Sequence, residues 1–202
     1  MKNKKLLLLS IILLLSVKIS KGGDLDTSGV FMTLDDQIVY MLGDAQLTEA
    51  TIEYHDGKKK SYQSAKMADM KWMMFGTRAW CAFPVRKGDH RYRLLEIIAM
   101  NKKYVLASYY NAADYLYIFD YESKALESNI YTAPAGGVKK HNKNAFDIIQ
   151  PYFSGCESLI SKFEANMEAK KMLCEGVGVE QCDGAPDLNK FLSTYKDKRI
   201  DK

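Results

Sequence analysis

Thr51-Ile52-Glu53-Tyr54-His55-Asp56-Gly57-Lys58-Lys59-Lys60-Ser61-Tyr62-Gln63 is the stretch whose pattern decides the fold class. Ile52 and Tyr54 alternate with Thr51, Glu53 and His55, a period of two that gives an extended segment one apolar face. Asp56-Gly57 follows at once, and such a pair accepts the positive φ angles of a type I′ turn. Thr51 to His55 and Lys58 to Gln63 are therefore expected to form the two arms of a β-hairpin.

The same grammar extends in both directions. On the N-terminal side, Val30 to Leu34 and Gln37 to Leu42 flank Asp35-Asp36, which suits a tight reversal between strands. On the other side, Ser64 can cap a short helical turn over Ala65 to Met70. Strand-like runs then recur at Lys71 to Phe75, Arg78 to Val85, Tyr92 to Met100, Tyr104 to Tyr110, Tyr115 to Tyr121 and Leu126 to Thr132. Asn101-Lys102-Lys103 supplies a turn between two of them, although Leu94 to Met100 would also suit a helix on propensity. Eight or nine short strands in sequence predict an antiparallel meander that curls into a roll, barrel or sandwich.

Beyond Gly136-Gly137 the period changes. Asn144 can cap a helix carrying Phe146, Ile149 and Phe153, and Ser154-Gly155 interrupts it. A second helix from about Glu157 to Lys171 has Leu159, Ile160, Phe163 and Met167 on one stripe. A third is expected to begin near Pro186, with Leu188, Phe191, Leu192 and Tyr195 as its apolar side. The predicted fold is thus α+β: a β meander over residues 29–133, then two or three C-terminal helices over 142–197, all in one domain spanning 23–202. Some 180 residues with 13 Tyr, 8 Phe and 2 Trp in the chain are enough to build one sizeable core.

Residues 1–22 read differently. Met1-Lys2-Asn3-Lys4-Lys5 is a basic leader, Leu6 to Val17 is an apolar run of 12 residues, and Ser20 and Gly22 provide the small residues a signal peptidase prefers. Twelve residues of helix reach about 18 Å, short of the ~30 Å hydrocarbon core, so a signal peptide is expected rather than an anchor. No cysteine follows the run before Cys81, which disfavours a lipid-modified N-terminus. The mature product is then exported without a membrane anchor, to the periplasm or beyond the cell.

Removing that leader alters the charge. The chain carries 29 Lys and Arg against 25 Asp and Glu, and loss of five leader lysines leaves 24 basic residues and a net charge of −1 instead of +4. A nucleic-acid partner is disfavoured, since only Lys58-Lys59-Lys60 and Lys139-Lys140-His141 remain as basic clusters, each beside a turn. Export also favours oxidation of Cys81, Cys156, Cys174 and Cys182, so two disulfides are expected. A helix over 157–171 would leave Cys174 about 11 Å from Cys156, beyond the ~7 Å limit on Cα separation. Cys156 with Cys182 and Cys81 with Cys174 is the preferred pairing, and Cys174 with Cys182 and Cys81 with Cys156 is the alternative. Without a Cys-x-x-Cys pair, no metal site is assigned.

Catalytic signals are sparse. His55, His90 and His141 belong to no metal or nucleophile motif, and there is no nucleophile elbow or phosphate loop; Gly176-Val177-Gly178 lacks the third glycine of a dinucleotide site. Asp24-x-Asp26-x-Ser28-Gly29 with Asp35 at the twelfth position overlays a calcium loop. It follows the cleavage site too closely for a preceding helix, and is expected to be a polar spacer. No cofactor is expected. The aromatic residues Trp72, Trp80, Tyr109 and Tyr110 are the candidates for a ligand surface, taking an apolar or sugar-like molecule, with core packing as the competing explanation.

Two stretches carry a family resemblance. The run Ala50 to Tyr62 followed by Trp72-Met73-Met74-Phe75 resembles uncharacterised secreted β-rich proteins of Bacteroidota, in which an extended segment, an Asp-Gly turn and a Lys-rich strand lead into a β-rich region. Tyr152-Phe153-Ser154-Gly155-Cys156 and its following helix are similar to the C-terminal helical part of such proteins. The resemblance implies export and a fold class, and no catalytic residue. The expected function is a non-enzymatic envelope or extracellular protein that binds an envelope glycan, a lipid or a protein partner. The alternatives are a hydrolase of envelope material, using carboxylates such as Asp114, Asp120 and Glu122, and a purely structural surface protein.

Overall fold

A computed structural model describes residues 27–48, 50–57, 61–86, 92–110, 114–132 and 138–195. The expected leader, its cleavage site, Asp24, Asp26, Lys58-Lys59-Lys60, His90 and the tail after Tyr195 lie outside the described residues. The strands are β1 (Thr27–Thr33), β2 (Ile38–Leu47), β3 (Thr51–His55), β4 (Gln63–Lys66), β5 (Met70–Phe75), β6 (Arg78–Pro84), β7 (Tyr92–Met100), β8 (Tyr104–Tyr110), β9 (Asp114–Asp120), β10 (Leu126–Thr132) and β11 (Glu180–Gln181). The helices are α1 (Val138–Phe153), α2 (Glu157–Glu168) and α3 (Leu188–Thr194), and a 3-10 turn covers Met67–Asp69. No helix among the described residues is long and apolar enough to cross a membrane.

Among the described residues one sheet of 11 strands runs in the order β10-β9-β8-β7-β6-β5-β1-β2-β3-β4, with β11 off this path beside β7. All its pairings are antiparallel except that of β11, which lies parallel to Ala99 and Met100 of β7. There it extends the β6 side of the sheet past the end of β6, whose ladder on β7 stops at Trp80 opposite Glu96. The α+β architecture predicted from the periodicity is the one observed, with the meander first and the helices last.

The sheet bends sharply at β2. Met70 opens β5 opposite Thr33, beside the Ile38 end of β2, whereas Lys66 closes β4 opposite Thr51, beside the Leu47 end. A straight ten-residue strand would hold those ends about 30 Å apart. Yet only Met67–Asp69 separate Lys66 from Met70, a reach of about 14 Å at most. Strand β2 absorbs the difference at Gly43, whose φ of 63° lies in a bulge between Leu42 and Gln46. The 3-10 turn closes the curl, as the Met67 N–H donates to the Ala50 carbonyl at 2.9 Å and the Leu34 N–H to the Asp69 carbonyl at 3.0 Å.

Strand alternation sends apolar side chains to both faces, and each face is covered. On one face, Ala79, Cys81 and Phe83 of β6, Leu95 and Ile97 of β7 and Phe119 of β9 pack with α3 through Phe191, Leu192 and Tyr195. Phe83 stacks on Phe119 at 4.2 Å between ring centres, and the Tyr195 hydroxyl donates to the Ala82 carbonyl. The other face carries two separate clusters. Phe31, Met41, Ile52, Tyr54, Met73, Trp80 and Leu94 fill the curl under β3 and β4. Ile98, Leu106, Leu116, Ile118 and Ile130 pack under α1 and α2 through Phe146, Ile149, Phe153, Leu159 and Phe163.

Several local expectations are corrected. Residues Tyr54 and Gln63 pair directly, so β4 starts at Gln63 rather than at Lys58, and the Asp56-Gly57 pair lies inside a longer connection. Ser64 belongs to β4 and caps nothing; the short turn begins at Met67. Helix α1 starts at Val138, which places Asn144 in its interior, and α3 is capped by Asp187, whose carboxylate accepts from the Lys190 N–H. In place of the expected polar spacer, Ser28 and Gly29 lie in β1, with the Ser28 hydroxyl donating to the Met41 carbonyl at 3.2 Å, and Asp35 accepts from the Thr33 hydroxyl. Cys156 and Cys182 form the preferred disulfide, with Cα atoms 4.9 Å apart. The second expected bridge is replaced by separate packing: Cys81 sits in the cluster on the α3 face and Cys174 against the cluster under α1 and α2, on the opposite face of the sheet.

Candidate functional site

Among the described residues the clusters under the two covers on the second face are separate, and the strip of sheet between them is the floor of a groove. In-register pairing lines up Met73, Trp80, Glu96, Ser108 and Leu116 across β5 to β9. Met73 and Trp80 lie under the β3–β4 cover and Leu116 under the helices. Glu96 and Ser108 fall between them. Two cavities open there, of about 360 Å³ and 500 Å³, and both are lined by Arg78, Glu96 and Ser108. The first reaches toward Leu47, Ala50, Met67 and Tyr92; the second reaches toward Ile98, Met172, Cys174 and the Gly176-Val177-Gly178 segment.

Arg78 and Glu96 form the polar centre. The Arg78 Nε donates to Glu96 Oε1 at 2.6 Å and its Nη2 to Oε2, a bidentate pair. The guanidinium also lies 4.9 Å from the centre of the Trp80 ring. The Glu96 side chain is only 14% exposed, while that of Arg78 is 53% exposed. The carboxylate is thus the deep partner and the guanidinium the one presented to solvent. Hydrogen bonding to Glu96 holds the Arg78 pKa above its ordinary value, against the lowering effect of partial burial. The pair uses two of the five guanidinium N–H donors.

The aromatic candidates do not share one surface. Trp72 faces α3 and is 8% exposed, with its indole N–H buried and unpartnered, whereas Trp80 faces the opposite side and is 4% exposed. Adjacent strands placed them near each other, but Trp72 pairs with Cys81 and Trp80 with Met73, so the pleat separates them. Only Trp80 lies at the groove floor. Tyr109 packs on the α3 face under the Arg93 guanidinium at 4.7 Å and touches the end of the first cavity. The side chain of Tyr110 lies outside the described residues.

Of the carboxylates named for a hydrolase, Asp120 has a role within a turn. Asp120 accepts from the Ser123 N–H and hydroxyl and the Glu122 N–H, closing the β9–β10 turn. These bonds hold its pKa below the usual carboxylate range, the reverse of what a general acid requires. Glu122 is exposed in the same turn, and the side chain of Asp114 lies outside the described residues. Among the described residues no cluster of three or more His, Cys, Asp or Glu could hold a metal ion. His55 lies against Tyr62, with ring centres 5.6 Å apart, and His141 is on α1.

Arg78, Glu96 and Ser108 were missed by motif reading. One signal was available: Glu96 is a lone carboxylate inside Leu94-Leu95-Glu96-Ile97-Ile98, and a charge within a buried strand needs a partner. No family model, curated protein or solved structure matches this chain.

Proposed function

We propose that this chain is an exported, non-enzymatic protein of the envelope or extracellular space that binds a ligand or partner segment in the groove between the β3–β4 cover and the helices. The observation that carries this proposal is the Arg78–Glu96 pair, fixed on the Trp80 ring at the junction of two cavities. A donor and acceptor pair of balanced charge with apolar side chains to either side suits a binding site, in which few polar groups orient an otherwise apolar contact. Export is supported by the basic and apolar leader and by the Cys156–Cys182 bridge, since such bonds persist in oxidising compartments.

A melting-shift screen of glycans, lipids and peptides against the wild type, A68W and R78M/E96M tests the binding site. Ala68 is an exposed residue of the 3-10 turn that lines the first cavity, so an indole there occupies that arm of the groove from outside the core. A ligand that raises Tm of the wild type and not of A68W is expected. Ligands that stabilise the wild type, A68W and R78M/E96M equally would bind outside both cavities, and the proposal would fall. Export has its own readout: the mass of the protein from its host should lack residues 1–22.

A further inference from the structure

We propose that the groove takes an extended peptide segment with apolar side chains, its backbone held by Arg78 and Glu96; the proposal rests on the groove being the binding site. Three observations favour a peptide over other ligand classes. First, the polar centre combines a donor and an acceptor. Arg78 keeps three N–H donors beyond those used on Glu96, and each Glu96 oxygen retains acceptor capacity. An extended residue turns its own C=O and N–H to the same side, which suits a guanidinium beside a carboxylate, as in strand pairing.

Second, the charge of the centre is already balanced. A ligand carboxylate or phosphate approaching Arg78 would meet the Glu96 carboxylate hydrogen-bonded to it. A neutral peptide group meets no such repulsion. Third, both arms beyond the centre carry apolar side chains: Leu47, Met67 and Leu94 on one side, beside Thr48 and Arg93, and Ile98, Met172 and Val177 on the other, beside Thr77 and Glu175. Apolar side chains flanking a polar midpoint match a chain whose backbone is polar and whose side chains are apolar. A sugar is polar along its whole length, and the Trp80 face it would stack on is covered by the Arg78 guanidinium. Met67 and Met172 are unbranched and adaptable, so the arms can accept side chains of differing shape.

The experiment measures binding of three probes to the full mature chain by calorimetry: an N-acetylated, C-amidated hexapeptide pool of Leu, Val, Ala and Ser; maltohexaose; and palmitate. Saturable peptide binding is expected, weakened at least about tenfold in A68W and in R78M/E96M. The double variant removes both charges together, whereas loss of Arg78 alone would leave the deep Glu96 carboxylate without its partner. Should the double variant fail to fold, R78K keeps the ion pair, loses the planar fork, and should weaken binding at least about threefold. Peptide affinity unchanged in R78M/E96M, or in R78K where that variant is used, overturns the inference. Maltohexaose or palmitate binding that A68W abolishes, with no peptide binding, also overturns it and leaves the groove as the binding site. If none of the probes responds to A68W or to R78M/E96M, whose side chains line both cavities, the groove itself is excluded and both proposals fail.

Discussion

A methyl group on Gly29 would sit 2.4 Å from the Met74 carbonyl oxygen and 2.5 Å from the Met41 Cε. The methionine could swing away, but the carbonyl belongs to the neighbouring strand, so β1 and β5 would have to part. G29A should therefore cost about 1–3 kcal/mol, the range of overpacking in a close-packed interior, and lower the urea midpoint without changing the slope. An unchanged midpoint would show that the two strands are not held this close. Lys124 makes a second case at this scale. It has a φ of 58°, donates to the Tyr121 carbonyl, and lies 4.2 Å from the Tyr121 ring centre and 4.3 Å from that of Phe191. Burial lowers its pKa to about 8, while Cys81, Asp120 and Glu122 pull the other way. An unfolded lysine titrates near 10.4, so between about pH 8 and 10 the unfolded chain binds more protons than the folded one. Stability should accordingly rise with pH across that window, measured as the urea midpoint at successive pH values. K124M should flatten the rise; a midpoint in the wild type that falls from pH 8 to 10 would contradict the sign.

Short helix α3 has seven residues, too few to persist alone, and its place depends on what it touches. Phe191 and Tyr195 join the Phe83 and Phe119 rings, and the Tyr195 hydroxyl reaches the carbonyl of Ala82 in the centre of the sheet. Y195F keeps the ring and loses that bond, so a loss of about 1 kcal/mol, or a fall in Tm of roughly 2–4 °C, is expected. No change in Tm would assign the docking to the rings alone. Elements of this kind differ in how far they were legible. Strands β5 to β10 were read nearly to the residue, because each is bounded by turn residues and rich in aromatic or β-branched side chains. The hairpin at Asp56-Gly57 was read too tightly, because turn chemistry reports local preference and the pairing of Tyr54 with Gln63 is set by the curl of the sheet. Nor could pleat direction be assigned across strands from spacing alone. Spacing alone thus groups Trp72 with Trp80, whereas Arg78 and Glu96, eighteen positions apart, are brought together only by strand register.

At the scale of the whole molecule, one sheet serves three apolar clusters with different covers, and this arrangement creates both the groove and a division of stability. The cluster under α1 and α2 is tied down by the Cys156–Cys182 bridge, which also secures β11 through the Cys182 N–H donated to the Met100 carbonyl at 2.9 Å. The cluster inside the curl uses no covalent tie; it is closed by the 3-10 turn and by Gly43. Closing a loop of 26 residues by a disulfide is worth about 3.5 kcal/mol in the chain-entropy model. C156A/C182A should lose about 3 kcal/mol, and the loss should be uneven. Native-state hydrogen exchange is expected to quicken in α2, β11 and the last turn of α1. Asn142 donating to the Lys171 carbonyl and Asn101 to the Tyr152 carbonyl should keep the helices from leaving the sheet altogether. Protection in β1, β2 and β5, under the other cover, should stay as it was. Equal loss in all strands would mean that the clusters unfold as one unit, and the groove would then be a crease in a single core rather than a gap between two.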